Sequence, residues 1–523
     1  MTAPESTPSA APAPGTTSTQ HADAAHAARS GLSQIAAMLG QGLMPLQRIL
    51  VSRVFGQTAY GLYRASADMC EVLMRAGMVG ADKGLLRFVA AHRAANEPDL
   101  EERAIGSALR LAGGVLSFLA LGLMLAAPTI ARISGNVEFS WLLPVMAPAL
   151  LAGGLVVVLM AATLGAKVTR VNLFIRGVAE PVLLLATTVV AWLVGRSLTG
   201  LAAAHLLTYL ALLVLAWVGA RTVIGRGRLW RSLRQLPHGG FSKFVLPIGG
   251  SELMNAILQR ANVFILTAFA GAPTVAVFAA AEELGRSVAG IRYAFDSVAG
   301  PMMAESLRLG DVERLRYNLQ LMTRWVTSAA APIAAVLLAL RPELLWLYGP
   351  DYRVGTNAMT LLVIGHLVNG VLGLSGYVLV MSGRSGLFFW NNFGAAALNF
   401  ILALVLVPRY GVTGAAVASL VGVTALQGTL FWQVWRLQGV HPFAPALAKP
   451  LGAAALAFGA AMLIRQIPLP PLPRVVLVIA AAVVVYPAAL LALRPGEEER
   501  RFVLRLLQKL FRRNRQPPGP VDR

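Results

Sequence analysis

The chain has 523 residues, 56% of them hydrophobic and only 13% charged, which excludes a soluble multidomain protein and fits a polytopic membrane protein. Its 45 lysines and arginines against 24 acidic residues leave a net charge of +21. That excess clusters between apolar segments and builds no aromatic-interleaved platform, so it reads as the basic bias of cytoplasmic loops and excludes nucleic acid as a partner.

Residues 1–28, rich in Ala, Pro, Ser and Thr, read as a disordered cytoplasmic tail. No basic stretch there precedes a short apolar core, so the tail is not a cleavable signal peptide. Apolar segments then recur, with membrane spans expected near 30–54, 59–92, 105–131, 140–164, 171–195 and 198–222. They form an N-terminal six-helix lobe, 29–224. A basic connector, 225–240, follows. Spans near 242–269, 273–305, 313–340, 356–382, 386–408 and 412–436 form a second six-helix lobe, 241–437. An extra helix pair, near 446–466 and 473–493, occupies 438–494. The expected fold is therefore an all-α polytopic membrane protein of about 14 transmembrane helices, each near the ~20 residues that cross ~30 Å of hydrocarbon.

The tail 495–523 places Val503, Leu506, Leu507 and Leu510 on one face among basic residues, which predicts an amphipathic helix on the anionic cytoplasmic leaflet. The basic loops 87–103, 167–170, 221–243 and 308–316 fall on one side, while 55–58 and 271–274 carry no charge. Both termini are expected in the cytoplasm, in the inner membrane.

An internal repeat is visible. FGQTAYGLYRASAD around Gly56 echoes FAGAPTVAVFAAAEE around Gly271, 215 residues on. LFIRGVAEP at Leu173 echoes LFFWNNFGA at Leu387, and LTGLAAA at Leu198 echoes VTGAAVA at Val412, both at 214. Six spans per half give both halves one orientation, with a pseudo-two-fold axis along the membrane normal and a substrate path between them.

The second span carries Arg64, Asp68, Glu71 and Arg75 at spacings of four, three and four, all on one helical face. A charge at the bilayer centre costs roughly 2.5–3.5 kcal/mol, so this face must turn away from lipid. Gln34, Gln41 and Arg48 recur every seven residues in the first span. Arg176 and Glu180 pair at i,i+4 in the fifth. Glu252, Asn255, Gln259 and Asn262 stripe the seventh, with Arg260 beside them. The eighth carries Glu282/Arg286 and Arg292/Asp296, with Glu283 alongside. One reading is structural, as ion pairs that fix packing. The other is the lining of one aqueous chamber. Arginines suit such a chamber to phosphate groups, and the carboxylates keep it neutral when empty and can carry a coupling proton. Prolines 45, 144, 148, 181, 247, 301 and 332 fit kinks that a rocking transporter can use.

Catalytic readings find little support. Cys70 is the single cysteine, the histidines at 92, 205, 238, 366 and 441 have no metal-ligand spacing, and no phosphate-binding GxxxxGK[ST] loop occurs. No cofactor is expected. A membrane ligase or polymerase would need a larger loop than 341–356, the longest on the side opposite the basic loops.

Residues 30–493 resemble the multidrug/oligosaccharidyl-lipid/polysaccharide exporter (MOP) superfamily, and within it the Wzx-type polysaccharide flippases. The resemblance rests on RILVSRVFGQTAYGLYRASADMCEVLMRAGMVGADKGLLRFVA and VPRYGVTGAAVASLV, with Pro301 in the eighth span and LWLYGPDY after the ninth. It implies two six-helix lobes plus two helices, and alternating access. It also implies a polyprenyl-pyrophosphate-linked oligosaccharide as cargo, moved between leaflets among membrane lipid beside other polysaccharide-assembly proteins. The cationic cavity it implies maps onto Arg48, Arg75, Arg286 and Arg292. A multidrug/cation antiporter, a lipid II flippase and a non-transporting scaffold of a polysaccharide-synthesis complex stand as alternatives.

Overall fold

The computed structural model describes residues 43–493. Both expected tails, and Gln34 and Gln41 of the first stripe, lie outside the described residues, as does the side chain of Asn255. The fold is all-α, and among the described residues nine helices are long and apolar enough to cross a membrane.

In chain order, α1 (Leu43–Phe55) and α2 (Gln57–Met78) are joined by Gly56 at φ 89°. The single span expected over 59–92 is corrected: it breaks at Val79 (φ 51°) and Gly80 (φ 73°), and α3 (Ala81–Ala94) follows. A β-branched residue in the left-handed region is strained, and its composition does not announce a break. Next come α4 (Pro98–Ser134) and α5 (Phe139–Gly165). The fifth expected span is α6 (Arg170–Phe174), a π-turn (Ile175–Ala179) and α7 (Glu180–Val194). Pro181 has no N–H to return to the Gly177 carbonyl, which accounts for the widened turn ahead of it. Prolines 144, 148 and 332, by contrast, lie inside continuous helices.

Beyond α8 (Leu198–Ile224) the expected connector is itself a helix, α9 (Arg226–Arg234). Then follow α10 (Phe241–Phe269), α11 (Ala272–Arg308), α12 (Val312–Ala339) and α13 (Arg341–Tyr348). The expected span 356–382 is two helices, α14 (Thr356–Leu372) and α15 (Ser375–Met381). Helix α16 (Ser385–Gln438) holds a non-helical Gly411, and α17 (Ala448–Arg465) and α18 (Pro471–Ala492) complete the chain. Helices α10 and α11 are not among the nine, because they carry the charges of the seventh and eighth spans.

The 54 residues of α16 are two antiparallel arms. A Cβ on Gly414 would stand 2.4 Å from the Leu406 carbonyl oxygen, although eight residues of straight helix rise about 12 Å. Gly422 likewise meets Asn399, and Asn391 and Gln433 exchange side-chain hydrogen bonds of 2.7 and 3.1 Å. The turn falls at Gly411 (φ 53°, ψ −126°), between the expected eleventh and twelfth spans.

By mutual contact the described residues divide into two compact units. The first holds 43–47, 73–124 and 144–253. Here the break after α2 meets α10 backbone to backbone: a Cβ on Gly80 would stand 2.8 Å from the Val245 oxygen, and one on Gly249 2.6 Å from the Val79 carbonyl carbon. Gly249→Ala is therefore expected to destabilise the protein by about 1–3 kcal/mol through overpacking. Thermal unfolding in detergent checks this, and an unchanged midpoint would contradict the close approach. Helix α9 is clamped to α4. Glu101 and Glu102, each 2% exposed, receive Arg228 at 2.9 and 2.8 Å, and Arg231 joins Glu102 at 3.2 Å. His238, after α9, stands 2.9 Å from His92, and burial together with that neighbour holds its imidazole below the ordinary range.

The second unit holds 48–72, 125–143 and 254–493. Its α2 lies on the start of α11 with no room for a side chain at Gly61, where a Cβ would fall 1.9 Å from the Ala272 oxygen. Buried Tyr60 packs against Tyr348 and Tyr352, and Ser52 Oγ donates to the Tyr348 carbonyl at 2.7 Å. Leu319, Met322, Val326, Val378 and Leu430 join α12, α15 and α16 in one apolar core. Buried Glu343 of α13 holds Arg474 at 3.0 Å and Arg465 at 3.4 Å, which fastens the final helix pair.

Candidate functional site

The second unit contains a cavity of about 280 Å³. Helix α2 contributes Arg64 and Asp68, α10 contributes Gln259, Arg260 and Asn262, and α11 contributes Glu282, Glu283 and Arg286. His366 of α14 and Asn392, Asn399 and Ser419 of α16 complete the polar lining. Polar side chains of α2, α10 and α11 meet in this cavity, with Val263, Phe278 and Ala279 of the same helices among its apolar lining.

These charges fall into three groups. The deepest is a network around Asp68, whose side chain is 1% exposed and receives Arg64 at 2.9 Å and Arg260 at 3.2 Å. Arg260 reaches on to Glu71 at 2.6 Å. Removing one partner of such a buried set is strongly destabilising, because a charge is left in a poor dielectric. In the second group Arg48 pairs with Glu283. The third is Arg286 with Glu282 at 3.1 Å, an i,i+4 pair on the cavity wall. The Arg286 side chain is 42% exposed, against 16% for Arg64 and 12% for Arg260. It is thus the cavity arginine best placed to meet a ligand. Asn262 donates to Ser419 Oγ at 2.8 Å, tying α10 to the second arm of α16.

Of the four arginines expected to line a chamber, Arg286 lines this one and Arg48 stands behind its wall, paired to Glu283. Arg292 lies farther along α11, paired with Asp296 at 3.2 Å, and neither residue is among the lining. Arg75 belongs to the first unit and is exposed there. So do Arg176, exposed on the π-turn, Glu180, which accepts from Tyr209 Oη at 3.3 Å, and half-buried Glu252. Arg260 entered the sequence reading only as a neighbour of a polar stripe, yet a lone arginine in NAILQRANVFIL is itself a signal. His366 in TLLVIGHLVNG carries the same signal. Asn392 and Asn399 recur at a seven-residue interval in α16, where the repeat alone drew attention.

A bundle of membrane-crossing helices enclosing a charged, largely ion-paired cavity defines a membrane transporter. The chain belongs to the family described as polysaccharide biosynthesis protein, whose profile matches residues 28–307, and through it to the MOP superfamily. A comparison with curated proteins finds no match. Among solved structures, the lipid II flippase MurJ in an inward closed conformation is similar with a TM-score of 0.68 at 12% identity, over 88% of this chain and 97% of that one. An inward-facing multidrug resistance MATE family transporter of the MOP superfamily gives a TM-score of 0.64 at 14% identity, over 78% and 98%. An outward-facing one gives 0.55 at 15%, over 78% and 94%. Identities this low speak for a shared fold alone.

Proposed function

We propose that the protein is a flippase that carries an undecaprenyl-pyrophosphate-linked oligosaccharide from the inner to the outer leaflet of the cytoplasmic membrane by alternating access, for cell-surface polysaccharide assembly. The observation that carries this reading is the cavity arginine Arg286, exposed and held by one carboxylate on its own helix, in a chain of the polysaccharide biosynthesis family. A pyrophosphate is the fixed charge shared by all such cargoes, and a forked guanidinium meets its oxygens with paired donors.

Two six-helix lobes, 29–224 and 241–437, rock about a pseudo-two-fold axis, the pair 438–494 stands outside them, and both termini lie in the cytoplasm. The left-handed glycines Gly56 and Gly271, each at a turn between consecutive helices and 215 residues apart, support the duplication. A lipid II flippase would handle the same pyrophosphate, and the likeness to MurJ favours it as a second reading. A cavity for cationic drugs fits less well, because the most exposed charge here is an arginine.

Deleting the gene and identifying the lipid-linked sugar left on the cytoplasmic leaflet tests this. Accumulation of an undecaprenyl-pyrophosphate oligosaccharide with loss of the surface glycan is expected. Accumulation of the lipid-linked peptidoglycan precursor would favour the second reading, and neither would reject both.

A further inference from the structure

The charged groups of the cavity are matched in number. Arg64, Arg260 and Arg286 line it with Asp68, Glu282 and Glu283, and just outside Arg48 and Glu71 are paired into the same groups. With His366 neutral, this described set carries no net charge to offer an anion. His366 is the imidazole of the lining, and histidine is the side chain type that can gain or lose a charge near neutral pH.

Its placement is specific. The ring lies against Gly285, where a Cβ would stand 3.0 Å from Cδ2, so a glycine lets the imidazole reach α11 between Glu282 and Arg286. His366 Nε2 is 3.6 Å from Glu282 Oε2 and makes no hydrogen bond among the described residues. That distance is too long for a neutral hydrogen bond and short enough for an ion pair. The other oxygen of Glu282, Oε1, accepts from Arg286 Nε. One carboxylate thus stands between a guanidinium that holds it weakly, as an i,i+4 pair, and an imidazole whose hold on it strengthens when it is protonated. The other charges of the lining are committed elsewhere: Arg64 and Arg260 to Asp68 on α2, and Glu283 of α11 to Arg48. The second arm and first arm of α16 present Asn392, Asn399 and Ser419, none of which titrates here.

We propose that His366 is the proton site of this cavity, and that its protonation draws Glu282 away from Arg286 and so releases the Arg286 guanidinium to bind a phosphate-bearing headgroup. The proton comes from water in the cavity and returns to it, and no covalent bond to the cargo forms or breaks. Proton and anion then bind cooperatively, and by linkage each strengthens the other. Loss of the proton returns Glu282 to Arg286 and expels the anion, which gives loading and release opposite requirements. The proposal rests on the anion-carrying reading above and adds the coupling ligand and its residue.

The test measures inorganic pyrophosphate binding by calorimetry to the full chain in lipid nanodiscs, at pH 5.5 and 8.0, for wild type and His366→Gln. The ratio of the two affinities at each pH cancels the titration of pyrophosphate itself. Wild type is expected to bind roughly tenfold tighter than the variant at pH 5.5, in the usual range for coupled ligands, and equally at pH 8.0. Glu282→Gln, which unties Arg286 at any pH, is expected to bind tightly at both. A ratio that does not change with pH overturns the switch and leaves the anion cavity standing. No binding by wild type at either pH overturns the cavity reading and the switch with it. If His366→Gln fails to fold, sulfate, which does not titrate in this range, serves with wild type alone. Calorimetry near pH 7 in buffers of different ionisation enthalpy should then show proton uptake on sulfate binding, and none would overturn the switch.

Discussion

Arg286→Ala is expected to lower glycan export by roughly 10- to 100-fold while protein level and thermal stability stay near wild type. The magnitude is that of losing charge-assisted hydrogen bonds to the cargo. The separation of effects follows from where the residue sits. Its pairing among the described residues is an exposed i,i+4 contact with Glu282, and such pairs are worth about 0.3–0.5 kcal/mol to stability. Arg286→Lys should restore export only in part, since it keeps the charge and loses the fork. Reconstitution into proteoliposomes with a fluorescent polyprenyl-pyrophosphate saccharide measures the rate directly. Wild-type flipping by Arg286→Ala at normal abundance would sink the assignment of the cavity to the cargo headgroup.

Arg260→Ala is expected to show the opposite signature, a loss of stability of about 3 kcal/mol with a drop in protein level. Asp68 is 1% exposed and has two arginine partners, so removing one leaves its charge half-compensated away from water. Glu71 loses its 2.6 Å contact in the same step. Adding Asp68→Asn should recover much of the loss, because the charge that lacked compensation is removed as well. Cys70 provides the readout. It is the single cysteine and is buried, so a thiol-reactive dye labels it as the protein unfolds. An Arg260→Ala midpoint equal to wild type would mean that the network contributes little to stability and is better read as binding machinery.

Together the two substitutions separate the two readings that the charged helices allow from their sequence. Arg64, Asp68 and Glu71 look like chamber lining when only their spacing is known. In the structure they join Arg260 in an ion-paired network on the cavity wall, where Arg64 and Asp68 line the cavity and Glu71 does not, and the most exposed cavity arginine is Arg286 on another helix. Spacing along one helix places residues on a face, but it cannot say what stands opposite. Arg260 meets Glu71 across 189 positions of chain, and no local pattern carries that distance.

Among the described residues the expected spans fall on helices, with breaks inside 59–92 and 356–382, because hydropathy over about twenty residues is a local property, set by the solvent on either side of the chain. The turn at Gly411 was legible for the same kind of reason, since a glycine after VPRY tolerates a backbone that other residues resist. The break at Val79 was not legible, because a valine does not normally leave the helix there. It lies where Gly80 and Gly249 let two backbones approach, a contact of tertiary origin. His366 is the sharpest case. By sequence it is one of several scattered histidines with no metal spacing, and only the packing of α14 on α11 brings it to Glu282. The sequence by itself determined the all-α membrane architecture and which helices carry charge, because the cost of a charge in hydrocarbon acts on each segment alone. Which charges neutralise one another, and which cavity arginine is left most exposed, the tertiary structure decided, because ion pairing depends on distances between residues far apart in the chain.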